Sequence, residues 1–140
     1  MDSLELRFAA PGRPISTNQV NRIHWAQRRR ELRPWRDAVA LAWKQARTDW
    51  PLVKGHRCTV EVFLPFPDKR RRDPHNFTGT VIKALIDELT TKTQRYGKQV
   101  VTVREGCWPD DTPDYVEVIE PRIVVGTECV VRITPQELAA

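Results

Sequence analysis

Cys58, Val60, Val62 and Leu64 alternate with Thr59, Glu61 and Phe63, and Pro65 and Pro67 follow directly. A period of two sends alternate side chains to opposite faces, so residues 57–64 read as a strand with one buried face. Prolines cannot donate to a sheet ladder and should end it there. A chain with such a strand must build a sheet and cover its apolar side. The basic loop Lys69–Arg72 comes next, then Asp73-Pro74-His75-Asn76. Asn76 is expected to cap a helix. Phe77, Val81, Leu85 and Leu89 fall at helical spacing on one face of it.

The remaining elements follow from the same rules. Leu4, Leu6 and Phe8 alternate as a short strand that Pro11, Gly12 and Pro14 terminate. Residues 15–33, polar and rich in Asn and Arg, read as irregular. A helix is expected from Pro34, since a first-turn proline loses no intrahelical bond. Trp35, Val39, Trp43 and Ala46 would face the core, and Pro51 and Gly55 would close the element. Residues 95–98 read as a turn and 100–103 as a short strand. Two more strands are expected, Tyr115–Ile119 and Cys129–Ile133, with Gly126-Thr127 as a hairpin turn. The predicted fold is α/β: one domain over residues 1–140, with two main helices on a small mixed sheet. The order is β-α-β-α-(β hairpin)-β-β.

Bulk properties narrow the class. A length of 140 residues suits one domain. The three cysteines, Cys58, Cys107 and Cys129, are far apart and odd in number. They match neither a disulfide framework nor a zinc-finger spacing. No apolar run is long enough to span a membrane, and the first residues lack a signal-peptide pattern. The expectation is a reducing, cytoplasmic setting. The net charge is +5, but it is uneven: residues 105–140 hold two Lys/Arg and eight Asp/Glu, and everything before them is strongly basic. A basic surface beside an acidic pocket suits a polyanion partner.

The chemistry-bearing residues fall into two segments. Asp73 and His75 follow the second strand, and Asp110 and Asp111 precede a later one. If those strands were neighbours, Asp111 would approach Asp73. Two carboxylates and an imidazole around Mg²⁺ or Mn²⁺ would make a hydrolytic site for phosphodiesters. The imidazole tilts the preference toward Mn²⁺. Arg70, Arg71 and Arg72 beside the acids would hold phosphates. A second basic run holds Arg28, Arg29, Arg30, Arg33 and Arg36. Trp25, outside the helical register, is placed to stack on an unpaired base. Against this stand ordinary roles: Asp-Asp-Thr-Pro is good turn chemistry, and an Asp before a helix is a common cap.

Taken together, these motifs resemble the RusA family of Holliday-junction resolvases. The resemblance rests on Pro14-Ile15-Ser16-Thr17-Asn18, Arg70-Arg71-Arg72-Asp73-Pro74-His75-Asn76, Lys83-Ala84-Leu85-Ile86-Asp87-Glu88-Leu89 and Trp108-Pro109-Asp110-Asp111. The wording is similar to a branch found in phages and prophages of actinobacteria. The resemblance implies a homodimeric, Mg²⁺- or Mn²⁺-dependent endodeoxyribonuclease of DNA recombination and repair that cuts four-way junctions symmetrically. It implies Asp73 and Asp111 as catalytic acids, Asp110 as support and Asn76 as a DNA contact. Two departures stand out. His75 occupies the place of the family's second Asp. Gly79 occupies that of its catalytic Lys, with Lys83 one turn later as the replacement. A third feature is the basic segment 91–106, longer than the family's connection and expected to form a hairpin arm toward DNA or the dimer partner. The rival expectations are a junction-binding protein without cleavage, a nuclease for other branched DNA, and a zinc site on His75 and Cys107.

Overall fold

The computed structural model of the chain describes residues 3–46 and 57–136. Its elements are β1 (Leu4–Ala9), α1 (Thr17–Asn21), α2 (Trp25–Ala46), β2 (Cys58–Phe66), α3 (Lys83–Leu89), β3 (Lys92–Tyr96), β4 (Gln99–Arg104), β5 (Val116–Val118), β6 (Arg122–Val125) and β7 (Glu128–Pro135). The mixed α/β architecture matches the expectation, with α1 and β6 as additions. The expected closure of α2 by Pro51 and Gly55 lies outside the described residues.

The main sheet runs β1-β7-β2-β5, and β6 also pairs with β2. β7 is antiparallel to both β1 and β2, whereas β5 and β6 run parallel to β2. β2 is the central strand. Its Cys58, Val60, Val62 and Leu64 point into the core with Leu6, Cys129, Val131 and Ile133. α2 covers that face through Trp35, Val39, Ala42 and Trp43, and the Trp35 ring meets Phe8 edge-on at 6.3 Å. The opposite face is polar and laced with ion pairs, as a sheet open to water on one side allows. There Arg132 bridges Glu5 and Glu61, Arg122 reaches Glu61, and both guanidinium groups lie over the Phe63 ring.

Four expectations need correction. α2 begins at Trp25, not Pro34, and contains Pro34 in its interior. Residues 25–33 are mostly Ala, Gln, Arg, Glu and Leu, straight-chain or small helix formers whose summed propensity carries the helix through one proline. Residues 15–33 are therefore helical for most of their length: Ser16 opens α1 with a capping box, its hydroxyl accepting from Gln19 N–H while the Gln19 side chain accepts from Ser16 N–H. β2 continues through Pro65 to Phe66, because parallel β6 reaches its last residues at the sheet margin. Gly126-Thr127 is not a hairpin turn between paired strands. It joins β6 to β7, which flank β2 on opposite sides, and Gly126 N–H bonds the Phe66 carbonyl at the end of β2. Gly126 has φ 149°, a conformation that glycine adopts without Cβ strain.

The segment 91–104 forms the expected hairpin, β3 with β4, turning at Gly97 (φ 61°). It is a separate two-stranded sheet with nearly every residue exposed. Arg104 anchors its base, donating to the Glu88 side chain and to the Glu88 carbonyl at 2.8 Å.

Candidate active site

The expected second helix is three structures in one run. Pro74–Phe77 is a 3₁₀ turn, Thr78–Ile82 a π-helical turn, and regular α-helix starts only at Lys83. The cap is Asp73, not Asn76: the Asp73 carboxylate accepts the His75 N–H at 3.0 Å. Pro74 follows directly and has no N–H to satisfy, which favours a start at that point. Short π-helical turns of this kind occur frequently at functional sites.

Two motif segments, distant in sequence, meet here. The Thr17 hydroxyl donates to the Asn76 carbonyl at 2.9 Å. The Thr80 hydroxyl, buried, donates to the Ile15 carbonyl at 2.6 Å. The Pro14–Asn18 segment is thereby strapped to the Asp73–Ile82 run. On the other side the basic loop is folded tightly. Arg72 lies over the Phe66 ring at 4.0 Å and donates to the Asp68 carboxylate at 2.9 Å and the Arg70 carbonyl at 3.0 Å. Arg72 is thus a loop clamp with a nearly buried side chain, whereas Arg70 and Arg71 are exposed. Lys83 is exposed at the first residue of α3.

The two acidic segments are not brought together. β5 does lie beside β2, as the approach of Asp111 to Asp73 required. The pairing is parallel, and Val116 aligns with Cys58, the first residue of β2. Residues before β5 therefore sit at the start of β2, while Asp73 follows its far end. Trp108 pins Asp110 and Asp111 at the start of β2: it is buried and its indole N–H bonds the Thr90 hydroxyl at 2.8 Å, beyond the last turn of α3. The Asp110 carboxylate accepts the Asp111 N–H at 2.8 Å, ordinary turn chemistry.

A parallel β5 instead carries Glu120, just beyond its C-terminal end, toward the Asp73 side. His75 Nε2 lies 3.2 Å from Glu120 Oε1. Glu120 was missed in the sequence because no motif marks it; only the direction of β5 selects it. His75, two residues after Asp73, thus faces a second carboxylate. Among the described residues no three His, Cys, Asp or Glu side chains are gathered closely enough to hold a metal ion. The zinc alternative finds no support either: Cys107 is buried, and burial pushes its thiol well above the ordinary range, while His75 is exposed.

No family model matches the chain, and no curated protein is significantly similar to it. No helix among the described residues is long and apolar enough to cross a membrane.

Proposed function

We propose that the chain is an endodeoxyribonuclease acting on branched DNA, of the RusA kind, with its site centred on Asp73. The observation that carries this reading is the strapping of the Pro14–Asn18 segment to the Asp73–Ile82 run that follows the Arg70–Arg72 loop. An exposed carboxylate that directly follows exposed Arg70 and Arg71 is suited to an anionic diester: the cations would offset the phosphate charge and orient it. Mg²⁺ or Mn²⁺ would supply an activated water to such a site. A C2 homodimer would present two such sites to the two symmetric strands of a four-way junction. A reducing cytoplasmic setting, in a phage or prophage host, belongs to the same proposal.

A second reading, junction binding without cleavage, is favoured by a specific observation. Asp73 is engaged in capping, His75 faces Glu120, and Asp110 and Asp111 lie at the other end of β2. One experiment separates the two. A synthetic four-way junction and a linear duplex are incubated with protein in Mg²⁺, Mn²⁺ or EDTA. Paired nicks on the junction, present with metal and lost in Asp73→Asn while binding persists, are the expected result. Binding with no nicks under any metal supports the second reading, and equal cutting of linear duplex overturns junction specificity. If His75 departs from a carboxylate ligand, His75→Asp should raise the Mg²⁺ rate relative to the Mn²⁺ rate.

A further inference from the structure

The N-terminal half of α2 forms one wall of an open cleft of about 900 Å³, whose far wall includes Glu88 of α3. Trp25 stands at its edge, 60% exposed, a large indole spent on no core. The other tryptophans on the described elements, Trp35, Trp43 and Trp108, are all buried. The Arg29 guanidinium lies 5.9 Å from the Trp25 ring centroid, and the His24 ring packs at 5.4 Å on the same indole.

The cations around the cleft are unequally engaged. Arg36 is held by Asp87 and Glu88. Arg33 reaches only Asp37, at 3.9 Å, with both side chains exposed. No ion pair among the described residues involves Arg28, Arg29 or Arg30. Arg28 donates once, to the Val20 carbonyl at 3.2 Å, and its buried Nε has no protein partner. Three guanidinium groups free of carboxylates beside a solvent-facing aromatic plane form a recurring surface for unpaired nucleic acid. Arginines track the phosphates, and the indole stacks on a base that has lost its own neighbours. A duplex offers no such base face, since its bases are already stacked.

We propose that this cleft binds an unpaired stretch of DNA, with one base on Trp25 and flanking phosphates on Arg28, Arg29 and Arg30. The proposal rests on the DNA-binding part of the reading above, and none of its residues belongs to the Asp73 run. The cleft would direct the enzyme to junctions or flaps carrying open bases, and it does not depend on cleavage.

The test uses the intact protein and three labelled probes of equal length: oligo-dT, an abasic sugar–phosphate strand and a duplex. Affinities are read by fluorescence anisotropy at fixed salt. Oligo-dT is expected to bind roughly tenfold tighter than the abasic strand. Trp25→Ala should erase that ratio while leaving duplex affinity and melting temperature unchanged. Arg29→Gln with Arg30→Gln should weaken both single strands and flatten their salt dependence. A ratio near one in the unmodified protein, or a ratio that Trp25→Ala leaves intact, overturns the proposal. Asp73→Asn serves as the independent control: loss of cutting with an unchanged dT preference would show that the two sites stand or fall separately.

Discussion

Gly106 has no room for a side chain. A Cβ there would press on the Leu89 carbonyl oxygen and lie 2.7 Å from the backbone of Thr90 and Thr91. All three neighbours are main chain and cannot swing aside. Gly106→Ala is therefore expected to destabilise the fold by about 2–3 kcal/mol, read as a drop in melting temperature. Asp68 gives a residue-scale prediction of another kind. The Arg70 N–H and then the Arg72 guanidinium hold its carboxyl below the usual value. A carboxyl depressed in the folded state adds stability above its unfolded pKa, near 4, and loses it as pH falls through the lower folded value. The difference in melting temperature between wild type and Asp68→Asn should be largest at neutral pH and shrink toward pH 3. The group is solvent-facing, so the effect should also shrink with added salt.

At the scale of elements, Pro34 is the feature that most departs from its surroundings. It sits ten residues into α2, where it leaves the Arg30 carbonyl without an intrahelical N–H. Pro34→Ala should stabilise the chain by about 1–3 kcal/mol, measurable by thermal melting. The same residue shows what was legible in the sequence. Alternating residues revealed β1, β2 and β7 because each buries one face, and helical spacing revealed the Trp35, Val39 and Trp43 stripe. Pro34 misplaced the start of α2 because a proline rule was set against nine favourable residues and lost. The Asp73 run was legible as a strand-to-helix junction, but its division into 3₁₀, π and α turns was not. That division depends on Thr17 and Thr80 bonding across to distant backbone. Glu120 and the separation of Asp111 from Asp73 were hidden for a simpler reason: strand direction is a tertiary property, and parallel and antiparallel pairings of β5 read identically in the sequence.

At the scale of the whole molecule, charge and topology are arranged on different sides. The covered face of the sheet holds the apolar core beneath α2, while the open face carries the Arg132, Glu5 and Glu61 lattice. The basic cleft of α2, the Arg70–Arg71 loop and the cations Lys92, Arg95 and Lys98 of the protruding hairpin are spread over three separate elements. β7 lies between β1 and β2, and the registers Leu4↔Ile133 and Val60↔Ile133 make one residue common to both pairings. During synthesis β1 and β2 would leave the ribosome early, with no shared partner until residues 128–135 emerge behind them. The central ladder can close only once β7 has been made, so the nascent chain must keep two half-apolar strands from straying onto other chains until then.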